Sequence, residues 1–250
     1  MGILDSAIPI SEVKHGSLWV IYGKSGSGKT NLISTFPKPL LYLQIGDDGT
    51  KTIKPSDDIM VIPITKPEQL VTLAEELEND DYYKTIVLDT FSLVVNEWID
   101  QEAVQKNKKV TIQMWGDLKT DTEKYIRLFQ KLSKYKIVAL TCHEVSESFE
   151  GMEDEIMPDI RPSVSKGART YLEGMSNYGI HCTVIQKERE QPDGSTKTVD
   201  VHAIHLAPNP YYWVKTQKPA SIKLPTLVIN PTYNKIIKLI RGEKQNGKKN

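Results

Sequence analysis

Five short apolar runs punctuate the first 142 residues: 18–22 (LWVIY), 40–45 (LLYLQI), 60–64 (MVIPI), 85–89 (TIVLD) and 137–142 (IVALTC). Each is close to continuous rather than alternating and rich in β-branched residues, the pattern of strands covered on both faces. Between them the period changes. Residues 67–79 (PEQLVTLAEELEN) place Leu70, Leu73, Ala74 and Leu77 at helical spacing behind a first-turn proline. Residues 92–106 carry Leu93, Val94, Trp98 and Ile99, and residues 117–135 carry Tyr125, Leu128, Phe129 and Leu132, so both predict helices. Strands alternating with helices predict an α/β fold, a mostly parallel central sheet flanked by helices and joined by right-handed crossovers.

After Cys142 the rhythm breaks. Residues 143–166 hold two prolines, an acidic cluster (Glu150, Glu153, Asp154, Glu155) and no clean period, which predicts a long loop. A short helix over 167–175 follows. Strands over 180–188 and 197–206, joined by Pro192, Asp193 and Gly194, predict a C-terminal β-hairpin extension. Residues 211–225 are irregular, and 232–241 predict a last helix. The expected division is an N-terminal arm (1–16), one domain (17–241) and a basic, frayed tail (242–250).

Charge and cysteine content narrow the class. Lysine plus arginine equals aspartate plus glutamate at 32 each, so no global field draws the chain to nucleic acid or an anionic membrane. Cys142 and Cys182 make no disulfide framework and no CxxC pair, and are expected buried in a reducing compartment. The first residues lack a basic region followed by an apolar one, and no window nears 18 uncharged apolar residues. A soluble, cytoplasmic protein without a membrane partner is expected.

The chemistry begins directly after the first apolar run. Gly23, Lys24, Ser25, Gly26, Ser27, Gly28, Lys29 and Thr30 read GKSGSGKT, the pattern GxxxxGK[ST] between a strand and a helical start. A loop wrapped around a β-phosphate turns its N–H groups inward, which needs backbone angles that glycine reaches without strain. Lys29 is placed to neutralise β- and γ-phosphate oxygens, and the Thr30 hydroxyl to ligate Mg²⁺. The competing reading is a glycine-rich turn without ligand. Asp89, ending the run TIVLD, is the candidate second metal residue, its rival role being the cap of the next helix. Guanine specificity is disfavoured, because the Asn-Lys pairs at Asn107 and Asn234 lack the aspartate of a base-reading motif, which leaves ATP.

Hydrolysis needs a group to position water. Asp47 is the first candidate and Asp48 the second, both following strand 40–45; a solvated turn is the alternative. His143, after strand 137–142, is either a γ-phosphate sensor or a structural histidine.

Together GKSGSGKT, GDDG, TIVLDT, WGDL, LTCHE and YYWVKTQKP resemble the phage-encoded RecA-core ATPases, including the Sak-type single-strand annealing ATPases, over roughly residues 17–241. The resemblance implies a RecA-like P-loop NTPase core with ATP bound between neighbouring subunits of a homo-oligomer. It implies turnover linked to single-stranded DNA, with a single-strand-binding protein as a further partner, in the host cytoplasm. It assigns Lys29 and Thr30 to phosphate and magnesium and Asp89 to the second acidic motif. Asp47 falls where RecA-like proteins carry a glutamate, a departure that bears on the hydrolysis rate. Lys215 or Lys218 would supply a cation in trans, the alternative being two solvated lysines. Arg161, Lys166 and Arg169 fall at a mobile DNA-contacting loop, against which stands the adjacent acidic cluster. Two other classes remain open: a small-molecule or nucleotide kinase, which needs an arginine lid, and a nucleotide-binding scaffold or regulator with little hydrolysis.

Overall fold

The computed structural model describes residues 3–12, 16–46, 49–66, 68–94, 111–150, 156–192 and 194–243. Asp47, Asp48, most of the helix expected over 92–106 and the tail beyond residue 243 lie outside these; residues 91–94 are helical.

The five apolar runs form β1 (Ser17–Tyr22), β2 (Leu40–Gln44), β3 (Ile59–Pro63), β4 (Thr85–Asp89) and β5 (Ile137–Cys142). Two antiparallel strands, β6 (Glu144–Glu150) and β7 (Ile156–Pro162), form a separate ribbon, bridged at Ile160 to Tyr212. Strands β8 (Tyr178–Glu190), β9 (Thr196–His205), β10 (Lys215–Thr216) and β11 (Leu227–Ile229) complete the main sheet, ordered β11-β9-β8-β1-β5-β4-β2-β3 with β10 beside β8. From β8 to β3 every pairing is parallel, and β9 and β11 are antiparallel additions.

Period-two alternation assigns the strand residues to two cores. On one face Leu18, Val20 and Tyr22 of β1, Ile86 and Leu88 of β4, and Val138 and Leu140 of β5 pack together. Over them lie α2 (Glu68–Glu78), through Leu70, Ala74 and Leu77, and α3 (Ile112–Leu132), through Ile126 and Phe129. α4 (Lys166–Met175) adds Ala168 and Leu172. On the other face Trp19, Ile21, Tyr42, Val87 and Ala139 meet Leu32 and Ile33 of α1 (Lys29–Ile33) and Ile236 and Ile240 of α5 (Tyr233–Arg241). The result is a three-layer α/β fold, as the sequence pattern predicts.

Three expectations change. The segment read as a loop over 143–166 contains the β6–β7 ribbon, in which Ser146, Glu147, Ser148 and Pro158 are exposed and neither strand carries a continuous apolar run. The predicted hairpin is not simply appended, because Tyr178 to His181 pair in parallel with Trp19 to Tyr22 inside the sheet. Only its distal part, residues 182–190 with their partners on β9, extends past the end of β1. The third helix starts at Ile112 rather than 117, where the Thr111 side chain caps it by accepting from Met114 N at 3.3 Å. Among the described residues no helix is long and apolar enough to cross a membrane.

Candidate phosphate site

The phosphate loop leaves β1 at the C-terminal edge of the parallel sheet, where α/β sheets open their ligand crevices. Gly23 (φ 152°) has no room for a side chain: a Cβ there would meet Cys182 O at 2.3 Å. Gly28 (φ 91°) is under the same double constraint, since a Cβ would meet the His202 ring at 2.7 Å. The loop closes on itself through Lys29, whose Nζ donates to Gly23 O and Lys24 O at 2.9 Å each. Burial holds the Lys29 ammonium below its usual range, opposed in part by the Asp89 carboxylate. Lys24, Ser25 and Gly26 are exposed at the loop's crest, and Ser27 is buried. Helix α1 runs for only 5 residues before the turns leading to Pro37. Loop amides and Lys29, more than a long helix dipole, therefore make the cradle's positive field.

Register sets the acidic residue against this loop. Asp89 ends β4 opposite Thr141 of β5, one step beyond the Leu88–Leu140 pair, on the face shared with Tyr42 and α1. Its Oδ2 accepts from Tyr42 Oη and from Thr30 Oγ1 at 3.2 Å; its Oδ1 accepts from Thr141 Oγ1 and from Thr90 Oγ1 at 2.9 Å. At 5% exposure the carboxylate is buried among four hydroxyl donors, so its charge is matched by hydrogen bonds. Among the described residues the Asp89 carboxylate accepts from side-chain hydroxyls, and none of its bonds there caps the next helix, the rival role.

A pocket of about 320 Å³ opens over the loop, lined by Ser25, Gly26, Gly28, Lys29, Thr30, Asn31, Gly49, Thr52, Asp89, Thr90, His143 and His202. His143 thus joins the phosphate loop and Asp89 around one cavity, its backbone N–H donating to Ser92 Oγ at 3.0 Å. Two buried atoms near the loop, Ser27 Oγ and His202 Nδ1, have no hydrogen-bond partner. A glycine loop with left-handed turns, a buried ammonium and a hydroxyl–carboxylate pair are the set that a polyphosphate and a hard divalent cation take, so the residues fit ATP and Mg²⁺.

The remaining candidates lie elsewhere. Lys215, beside Gly179 of β8, donates to Glu173 O and Gly174 O at 2.9 Å at the end of α4. From there the chain runs toward the N-terminal end of β8, so Lys218 lies farther from the phosphate loop; neither lines the pocket. The basic segment is not one loop but a strand end and a helix start. Arg161 lies on β7, with Nε to Asp159 Oδ1 at 2.6 Å and Nη1 to Glu173 at 3.4 Å. Arg169 is 8% exposed on α4 and pairs with Glu147 at 2.9 Å. Both guanidinium groups are engaged by the acidic residues around them, and of the three only Lys166 is exposed.

Sequence reading missed Tyr42, Thr90, Thr141 and His202. A hydroxyl inside an otherwise apolar run was the available signal for Tyr42 and Thr141. His202 gave none, because it reaches the loop from a strand some 170 residues away.

A phosphate cradle opened by a buried strand and faced by the carboxylate that ends another parallel strand, here β4 with β5 between them, is the mark of P-loop ATPases, and the fold places this chain in that class. Residues 16–215 match the family described as AAA domain, and the chain belongs to that family. No curated protein matches it. Among solved structures, it is similar to an ATPase from the type III secretion system of pathogenic bacteria at 12% identity and a TM-score of 0.43. That alignment covers 67% of this chain and 51% of the other, so the chain spans about half the length of that structure.

Proposed function

We propose that this protein binds ATP with Mg²⁺ in the pocket above Gly28 and hydrolyses it. The observation that carries the reading is the convergence of Lys29, Thr30 and Asp89 on one cavity at the end of a parallel sheet. When bound, Mg²⁺ would supply charge neutralisation between phosphate oxygens, held by Thr30 and by Asp89 directly or through water. Lys29 would exchange its two loop carbonyls for phosphate oxygens, and the loop amides would fix the chain of phosphates in line for attack. His143, which lines the pocket, would meet the terminal phosphate; Asp47 or Asp48 remains our proposal for orienting water.

The finer role, ATP-driven work on single-stranded DNA in a homo-oligomer, is supported by the sequence resemblance alone. The internal pairing of Arg161 and Arg169 speaks against that loop as the contact surface, and equally against an arginine lid of the kinase kind. The test is phosphate release from MgATP by the wild-type chain and by Lys29→Ala, with and without single-stranded DNA. Turnover lost in the variant supports the ATPase reading, and stimulation by DNA supports the finer role. Nucleotide binding without turnover would convert the reading to a nucleotide-dependent regulator; no binding would overturn it.

A further inference from the structure

The β8–β9 hairpin overhangs the phosphate site and brings a second imidazole to it. Tyr22, the last residue of β1, is level with His181; β8 continues past that edge, and His202 on β9 pairs with Val184, three residues beyond. Alternation sets the direction. Ile204 points into the core beneath α1, so His202, two residues earlier, emerges on the same face beyond the sheet's edge, above the loop that begins at Gly23. Its ring packs against Gly28 so closely that a Cβ there would lie 2.7 Å from Nδ1 and 2.8 Å from Cγ.

That Nδ1 is buried without a hydrogen-bond partner among the described residues, whereas the His202 carbonyl accepts from Asn230 N–H at 2.8 Å. A buried polar atom left unpaired costs free energy unless a ligand supplies the partner. The ring also lines the same cavity as Lys29 and Thr30. We propose that His202 is a phosphate-binding residue: as the pocket fills, its ring shifts off Gly28 and its Nδ1–H donates to an oxygen of the polyphosphate held there. This rests on the nucleotide-binding reading above and adds a donor from outside the loop. It also makes the hairpin part of the binding site.

The test is calorimetric titration of the full chain with ADP and with inorganic pyrophosphate, both with Mg²⁺, for wild type, His202→Phe and His202→Asn. Phenylalanine keeps the ring over Gly28 and removes the nitrogen; asparagine places an amide N–H near the Nδ1 position. The expected result is a dissociation constant raised roughly ten- to a hundredfold by Phe for both ligands, the weight of one hydrogen bond to a charged group, and restored to within about threefold by Asn. His202→Leu replaces the Phe variant if the latter does not fold. Affinities unchanged in the Phe variant would reduce His202 to packing and overturn the proposal. Loss for ADP but not for pyrophosphate would place the contact on the nucleoside and overturn it equally. A wild-type chain that binds neither ligand would instead sink the nucleotide-binding reading beneath it.

Discussion

Replacing Asp89 by asparagine tests whether the buried carboxylate is held as described. The side chain accepts from Tyr42, Thr30, Thr90 and Thr141. A hydrogen bond to a charged group contributes about 1.5–3 kcal/mol, against about 1 kcal/mol for a neutral one. With the amide oxygen facing Thr90 and Thr141, two bonds survive at roughly neutral strength. On the other side the amide N–H₂ faces two hydroxyls, and Thr30 and Tyr42, the latter at 0% exposure, must both turn from donating to a carboxylate to accepting from an amide. Relief of the buried charge offsets part of this. The net expected cost is about 2–4 kcal/mol, or roughly 5–15 °C in melting temperature at this chain length. Circular dichroism melts of the ligand-free variant measure it. Tyr42→Phe, which removes one donor, should cost about 1–2 kcal/mol. Combined with Asp89→Asn it should add less than that, because the two share an interaction. An Asp89→Asn melt within about 2 °C of wild type, or full additivity with Tyr42→Phe, would refute the hydroxyl-bound carboxylate.

Four other outcomes are expected. Lys29→Met should melt no lower than wild type without ligand, because the ammonium is desolvated, yet lose the stabilisation of about 2.7 kcal/mol that MgATP gives wild type at a hundredfold excess over Kd; a persisting ligand shift in the variant's melt would refute Lys29 as a phosphate ligand. His205 stacks on Tyr212 and its Nδ1 meets His181 Nδ1 at 3.0 Å, while His181 Nε2 meets Glu144 at 2.8 Å. Burial, with His181 beside it, pushes His205 down to about 4. An imidazole depressed on folding takes up its proton more readily unfolded, so stability is complete above about pH 6.5 and falls as pH drops toward about 4, by about 1–2 kcal/mol after discounting for the ring's partial exposure. Urea melts across that range should show the loss, and His205→Phe should flatten it. Lys215→Met should cost about 0.5–1 kcal/mol by uncapping α4; ATPase activity that falls while rising with protein concentration in wild type would give Lys215 a trans role as well. Charge reversal of Lys166 should reduce the salt slope of single-stranded DNA binding by about one unit if that face contacts phosphate, and an unchanged slope in filter-binding titrations would remove it.

The order of strands and helices, the two-sided burial of the sheet and the phosphate loop were legible in the chain itself. Each depends on neighbours within a few residues: period, apolar run length, and glycines at fixed spacing. The β6–β7 ribbon was not, because strands such as EVSESFE, polar at most positions, leave no apolar run to read. Nor was the fate of Arg161 and Arg169, which as a sequence form a basic loop. Their charge is spent on Asp159, Glu173 and Glu147, and which acid a guanidinium meets depends on how a helix packs beside a ribbon.

By itself the sequence determined that a strand would deliver a glycine loop with Lys29 and Thr30 at its end, and that a carboxylate would end another strand. Only the tertiary structure decided that β4 lies beside β5 and β2, so that Thr141 and Tyr42 bind the Asp89 carboxylate, and that β8 joins β1 in parallel. That pairing carries the hairpin past the sheet's edge and sets His202 over Gly28. The reason is physical: local patterns fix the type and face of an element, whereas register between strands distant in sequence is fixed by burying two faces at once.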